Sequence, residues 1–222
     1  MHQMIFKRIV QQHRNQKFLR QYFAQTTMPK LHVGCGKHIL SGWLNADNYL
    51  QDPSLPVYCF DASQKFPFAE GTFAYVFSEH MIEHISYSAG LLMLRECLRV
   101  LKPHGVLRLS TPDLDFLLDL RRADKSPLQR EYIRWAAETN TPNIPDPTNE
   151  TILINNFVRD WGHTFIYDEK TLMHSLQLAG FSQLRKCDLQ ESYVECLRNL
   201  ENETRMPPGF LRLESIVIEA TK

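Results

Sequence analysis

Three groups of residues in this chain have the types and spacings to do chemistry. The first is His80-Met81-Ile82-Glu83-His84, an H-x-x-E-H order. On one helix, two histidines four apart can hold zinc while the glutamate serves as base, the arrangement of a zinc hydrolase. The second is the glycine pair Gly34-Cys35-Gly36, with Asp47 and Asp61 following it. Glycines let the backbone approach a ligand closely where a Cβ would obstruct it. The third is Asp160, His163 and Tyr167. A histidine titrates near neutrality, so His163 can take a proton from a hydroxyl. Equally, His163 and Asp160 can fix a loop by hydrogen bonds. For His84, bonding a backbone carbonyl or filling space is the plainer role, and His80 is balanced between function and packing.

Strands and helices must hold these groups in place. Residues 31–33 read as a short buried strand closed by the glycine turn, and residues 43–46 as a second closed by Asp47. Residues 57–63 give a third strand carrying Asp61. Residues 74–79 give a fourth, ending at Ser78, Glu79 and His80, and residues 105–112 a fifth. Residues 91–101 repeat apolar side chains at helical spacing and stop at Lys102-Pro103-His104-Gly105. Helices are also predicted over 112–122, 127–138 and 168–178, the last capped by Asp168 and stopped by Gly180. Residues 139–150 are rich in Pro, Asn and Thr and read as a loop. A sixth strand covers 181–189, a helix with Tyr193, Val194, Leu197 and Leu200 follows, and residues 212–222 alternate as a seventh, edge-like strand. Strands alternating with helices predict an α/β fold with a parallel sheet between helical layers.

In such a sheet, ligands bind beyond the carboxyl ends of the strands. Asp47 stands where a carboxylate can accept both hydroxyl hydrogens of a ribose. Asp61 stands where one can accept from an adenine amino group. A nicotinamide site would need a third glycine where Ile39 stands and an acid about 20 residues on, and Asp47 comes too early. No Walker lysine motif is present.

The chain has 25 acidic and 25 basic residues, so bulk charge points to no nucleic-acid partner. The distribution is uneven: no Asp or Glu precedes Asp47, while Lys7, Arg8, Arg14, Lys17, Arg20, Lys30 and Lys37 do. Residues 3–25 read as two short helices or one with a break. This basic segment, over 1–28, is expected to be a helical appendage and a candidate lid. It is either packed on the domain or in weak contact with a membrane surface. Residues 29–222 form the main domain, with a helical and loop insertion near 112–165. No apolar run approaches the ~20 residues that span a bilayer. Five cysteines without a C-x-x-C pair read as reduced thiols in a cytoplasmic protein. The oligomeric state is not legible.

The series "LHVGCG", "NADN", "FDAS", "FPFAEGTFAYVFSEHMIEHI" and "LRECLRVLKPHGVLRLSTPD", in this order over about 30–113, resembles class I S-adenosylmethionine-dependent methyltransferases. The "GCG…SGWLNAD" spacing especially resembles methyltransferases found among surface-polysaccharide and secondary-metabolite enzymes. The resemblance implies a Rossmann-like seven-stranded sheet of order 3-2-1-4-5-7-6, the last strand antiparallel, with helices on both faces. It implies S-adenosyl-L-methionine as cofactor, held by Gly34, Cys35, Gly36, Asp47, Asn48, Asp61, Ala62, Ser78 and Glu79, with His80 near the sulfonium and no metal. It implies transfer of a methyl group to a small-molecule acceptor, a sugar or natural-product hydroxyl first. His80 and His163 are then the candidate catalytic residues. Two departures stand out. His32 replaces an acid that many members carry, which gives some footing to the alternative of a catalytically weak scaffold or binding protein. The crossover over 36–43 is also shorter than the dozen or more residues that a parallel connection usually takes.

Overall fold

The computed structural model describes residues 15–49, 52, 54–140, 146 and 148–222. Its centre is a seven-stranded sheet of order β3-β2-β1-β4-β5-β7-β6. The strands are β1 Lys30–Val33, β2 Leu44–Asp47, β3 Tyr58–Cys59, β4 Phe73–Glu79, β5 Leu101–Pro112, β6 Gln183–Cys187 and β7 Ser215–Thr221. Strands β1 to β5 pair in parallel, and β7 runs antiparallel to both β5 and β6. The seventh strand is therefore internal, not the edge that its alternation suggests. The third strand shrinks to two residues, and the fifth begins immediately after the preceding helix. The predicted stop at 102–105 is absorbed as an irregularity of β5, whose register against β4 shifts between Phe73 and Tyr75. His104 takes a left-handed φ of 63° there.

One face of the sheet is covered by three helices. Residues 15–25 form α1, whose Phe18, Leu19 and Tyr22 pack on the main core. Asn15 is tied to Cys59 by two hydrogen bonds, and the Tyr22 hydroxyl and Lys30 backbone bond each other. Residues 1–14, which hold the first apolar face of the predicted segment and the basic residues Lys7, Arg8 and Arg14, lie outside the described residues. Helix α2, Tyr87–Val100, starts at Ser86, whose side chain accepts from Ala89 N, and buries Met93, Leu94, Cys97 and Val100. That spacing is the apolar stripe of an amphipathic helix, and each such side chain contributes ~1.5–3 kcal/mol on burial. Helix α6, Glu169–Ala179, carries the expected caps: Asp168 accepts from Thr171 N, and Gly180 closes it at a φ of 108°.

The opposite face is covered differently. The predicted helix around 193–200 forms only a 3-10 turn, Glu195–Leu197, which buries Leu197 and Leu200 against Trp43 and Phe77. The short crossover over 36–43 holds turns alone. The Asn45 side chain organises it, accepting from Leu40 N at 2.9 Å and donating to Leu40 O and Trp43 O.

A second apolar cluster lies beyond β5. It joins α3 Leu114–Asp119, α4 Pro127–Asn140, α5 Glu150–Arg159 and α7 Phe210–Glu214. Helix α5 was not anticipated. Asn149 caps it by accepting from Thr151 N and Ile152 N, and Leu153 and Phe157 face α4. Among the described residues no helix is long and apolar enough to cross a membrane.

Candidate active site

The carboxyl ends of β1 to β4 surround a cavity of about 290 Å³, lined by Gly34, Gly36, Asp47, Asn48, Asp61, Ala62 and His80, among others. Each of these residues arrives there at or just beyond a strand end. Gly34 (φ +73°) is required by packing, because a Cβ would lie 2.2 Å from Met81 Cγ. Gly36 (φ +50°) is different: nothing lies within 4 Å of where its Cβ would be, so it borders open space. Asp47 is preset by two backbone donors, Gly36 N at 2.9 Å and Tyr49 N at 3.1 Å, one on each oxygen. Asp61 accepts both the N–H and the hydroxyl of Ser63 through Oδ1.

Cys35 and Glu79 line a neighbouring cavity of about 240 Å³ that shares Gly34, Gly36 and His80 with the first. Burial and the nearby Asp47 carboxylate push the Cys35 thiol up to about 12. Glu79 accepts from Asn202 N and stands 3.5 Å from His38 Nδ1. Ser78 is fully buried within the sheet and does not line either cavity.

A third cavity, of about 370 Å³, opens beside the first and shares His80 and His84 with it. Its walls include Tyr132, Trp135, Phe157, Trp161 and His163. His163 Nδ1 contacts the Phe157 carbonyl at 2.6 Å, and burial holds this imidazole below its usual range. The rings of His163 and His84 stand 5.0 Å apart. Asp160 contributes only its backbone carbonyl to His163 N, and Tyr167 is buried in the main core. The predicted trio is therefore not a cluster.

The H-x-x-E-H residues do not share an α-helix. His80 ends the strand run at a φ of 45°, and Ile82–His84 form one 3-10 turn. His80 Nε2 is 2.8 Å from Ser215 Oγ, and its Nδ1 is 3.5 Å from Glu83 Oε1. Burial, then the positive Arg205, keep His80 well below the ordinary histidine range. Burial raises Glu83 to about 8 and Glu214 to about 7. Glu214 also accepts from the Tyr132 hydroxyl. Arg205 and Glu214 escaped the sequence reading because they lie on short elements without clear periodicity; Tyr132, Trp135 and Phe157 sit on the regular helices α4 and α5, whose spacing does not say which cavity they line. His84 and Glu83 had a signal, the motif itself, whose α-helical interpretation was wrong.

The sequence matches a family described as methyltransferase domain over residues 6–185. The chain belongs to this family, and its sheet order is that of class I S-adenosylmethionine-dependent methyltransferases. Two solved structures share the fold. A SAM dependent methyltransferase from Archaeoglobus fulgidus aligns at a TM-score of 0.50 and 15% identity, covering 96% of this chain and 94% of that one. An S-adenosylmethionine dependent methyltransferase from Mesorhizobium loti aligns at 0.50 and 12% identity, covering 88% and 91%. No curated protein gives a significant match. The protein is an enzyme, and S-adenosylmethionine is its cofactor. The open space at Gly36 and the two preset carboxylates fit that group.

Proposed function

We propose that the enzyme methylates a hydroxyl of a ring-bearing small molecule, a sugar or natural product. The observation that carries this reading is the aromatic cavity meeting the glycine-turn cavity at His80 and His84. Tyr132, Trp135, Phe157 and Trp161 offer faces on which a ring can stack. Arg205 is the only cationic side chain in that lining apart from the histidines, which disfavours a polyanionic acceptor.

In this reading Gly34, Cys35 and Gly36 seat the methionine part, with Glu79 beyond them. Asp47 and Asn48 take the ribose, and Asp61 with Ala62 the adenine. When bound, S-adenosylmethionine supplies a methyl group on a sulfonium, a leaving group already activated. What remains for the chain is alignment and exclusion of water. His163, held below its usual range by burial and pinned through Nδ1, lines the acceptor cavity with its Nε2 lone pair available to take the proton of an acceptor hydroxyl. His80 and His84 border the reacting point from the cofactor side.

The test is incubation with methyl-labelled S-adenosylmethionine and a panel of saccharides, phenols, amines and carboxylates. The expected product is an alkali-stable methyl ether. Methyl transfer only to amines or carboxylates would overturn the hydroxyl reading. His163→Ala should lower turnover about a hundredfold or more while S-adenosylhomocysteine affinity stays unchanged. Undiminished turnover would remove His163 from the reaction.

A further inference from the structure

Where the two cavities meet, three side chains from two distant stretches, the Glu83-His84 turn and the loop of His163, bring their ligand atoms into one space. Glu83 Oε1 and one ring nitrogen each of His84 and His163 all lie within 4.8 Å of one another. Two backbone hydrogen bonds and one from a hydroxyl enforce the meeting. Thr164 N and Phe165 N donate to the Glu83 carbonyl at 2.7 and 3.1 Å, and Thr164 Oγ1 donates to the His84 carbonyl at 3.2 Å. The loop that carries His163 is thereby clamped onto the 3-10 turn. It does so with Trp161 held at a φ of 60°, a conformation that a bulky residue adopts at a cost.

Each member is oriented as a ligand would be. Glu83 is completely buried. Thr111 donates to its Oε2 at 3.1 Å, while Oε1 makes no hydrogen bond among the described residues, with His80 Nδ1 3.5 Å and His84 Nε2 3.9 Å from it. A buried carboxyl oxygen that makes no hydrogen bond costs ~1–3 kcal/mol, so Oε1 has a coordination position to offer a further partner. His163 Nδ1 is committed to the Phe157 carbonyl, so the proton sits there and Nε2 keeps its lone pair. A backbone carbonyl on the far nitrogen is how metal-binding histidines are commonly set. His84 Nε2 faces Glu83 Oε1 at 3.9 Å, with Gly162 packed against its Nδ1.

We propose that Glu83, His84 and His163 bind one divalent transition-metal cation at the junction of the cofactor and acceptor cavities. Two imidazoles and one carboxylate suit manganese, iron, cobalt or zinc better than magnesium or calcium, which prefer oxygen. Three protein ligands leave coordination positions open toward the aromatic cavity. An acceptor hydroxyl oxygen can occupy one, and the cation then lowers the affinity of that oxygen for its proton, which passes to solvent water as the oxygen takes the methyl group and the sulfonium leaves as the neutral thioether. With the cation bound, His163 Nε2 is a ligand, which replaces the free-base role proposed for it above. The role for the acceptor rests on the hydroxyl reading above; the cation site does not. The site uses two residues of the H-x-x-E-H motif but replaces His80 with His163.

The experiment is calorimetric titration of the full chain, stripped with EDTA and dialysed, with MnCl2 and separately with ZnCl2. A parallel titration with S-adenosylhomocysteine checks the fold. One equivalent of at least one ion should bind in the micromolar range. Glu83→Gln, His84→Ala and His163→Ala should each weaken it about tenfold or more, with S-adenosylhomocysteine affinity retained. His174→Ala, an exposed histidine on α6, should change nothing. Absence of binding to a chain that binds S-adenosylhomocysteine would overturn the proposal. So would binding that survives Glu83→Gln and His163→Ala. If the ion binds and S-adenosylhomocysteine does not, the cation site stands and the cofactor assignment is what fails.

Discussion

The two faces of the sheet solve the same burial problem by different means. On one, Leu31, Val33, Val76, Leu107 and Leu109 meet the apolar stripes of α1, α2 and α6. On the other, the sheet presents polar groups. Arg108, with no exposed surface, donates to Glu201 at 2.6 Å, to Glu219 at 2.8 Å, and to the carbonyls of Glu191 and Asp188. His32 pairs with Asn45 at 3.1 Å. The difference follows from what covers each face. A helix satisfies its own backbone, so the sheet below it can be apolar. Residues 188–202 form little regular structure, and their carbonyls and N–H groups need partners from the sheet. Arg108 supplies donors to the carbonyls, while the carboxylates of Glu201 and Glu79 accept from Gln190 N and Asn202 N.

The largest effect that can break this contrast is at Arg108. Arg108→Met should cost about 3–5 kcal/mol in urea unfolding, because it leaves two buried carboxylates uncompensated. It should also open residues 188–206 to protease before the rest of the chain. A cost below about 1 kcal/mol would show that the polar face does not depend on this hub. Leu176→Ala on the helical face should cost about 2–4 kcal/mol through the cavity it leaves. No early protease site should accompany it, since no backbone group loses a partner. Early cutting in this variant would erase the distinction between the faces.

The smallest effect sharpens the contrast by pH. Burial holds His32 down at about 3, whereas the unfolded chain takes up a proton near 6.5. Above 6.5 both states are neutral and His32 contributes nothing to pH dependence. As pH falls from 6.5 toward 3, only the unfolded state gains the proton, and stability declines by about 1.4 kcal/mol per pH unit. His32→Gln should remove that increment from the slope measured by urea unfolding between pH 6.5 and 5. Equal slopes in the two proteins would show that His32 is not buried as a neutral group.

The same contrast explains what could be read from the sequence. On the helical face, caps such as Asp168 and Gly180 and the apolar stripe of α2 are local, so periodicity located them. The residues proposed to hold the cofactor could be placed at strand ends for a related reason, and the structure brings four of them to one cavity. Gly34, Gly36, Asp47 and Asp61 each follow a hydrophobic run that marks a strand end. The polar face was not legible. Arg108 meets Glu201 across 93 positions and Glu219 across 111. A sequence window that sees Tyr193, Val194, Leu197 and Leu200 registers a helical period, although the burial there is made by one turn. His84 and His163 come together only because a loop is clamped by backbone bonds, and no spacing encodes that.

The place of β7 has a consequence for synthesis. It lies between β5 and β6 but follows both in the chain. While residues up to 214 emerge from a ribosome, β5 keeps an unpaired edge and β6 has no neighbour to join. The nascent chain thus carries an open strand edge through the whole acceptor-side region, the condition in which two copies pair wrongly. The last element of the sheet closes it from the middle, and productive folding waits for seven residues, Ser215–Thr221.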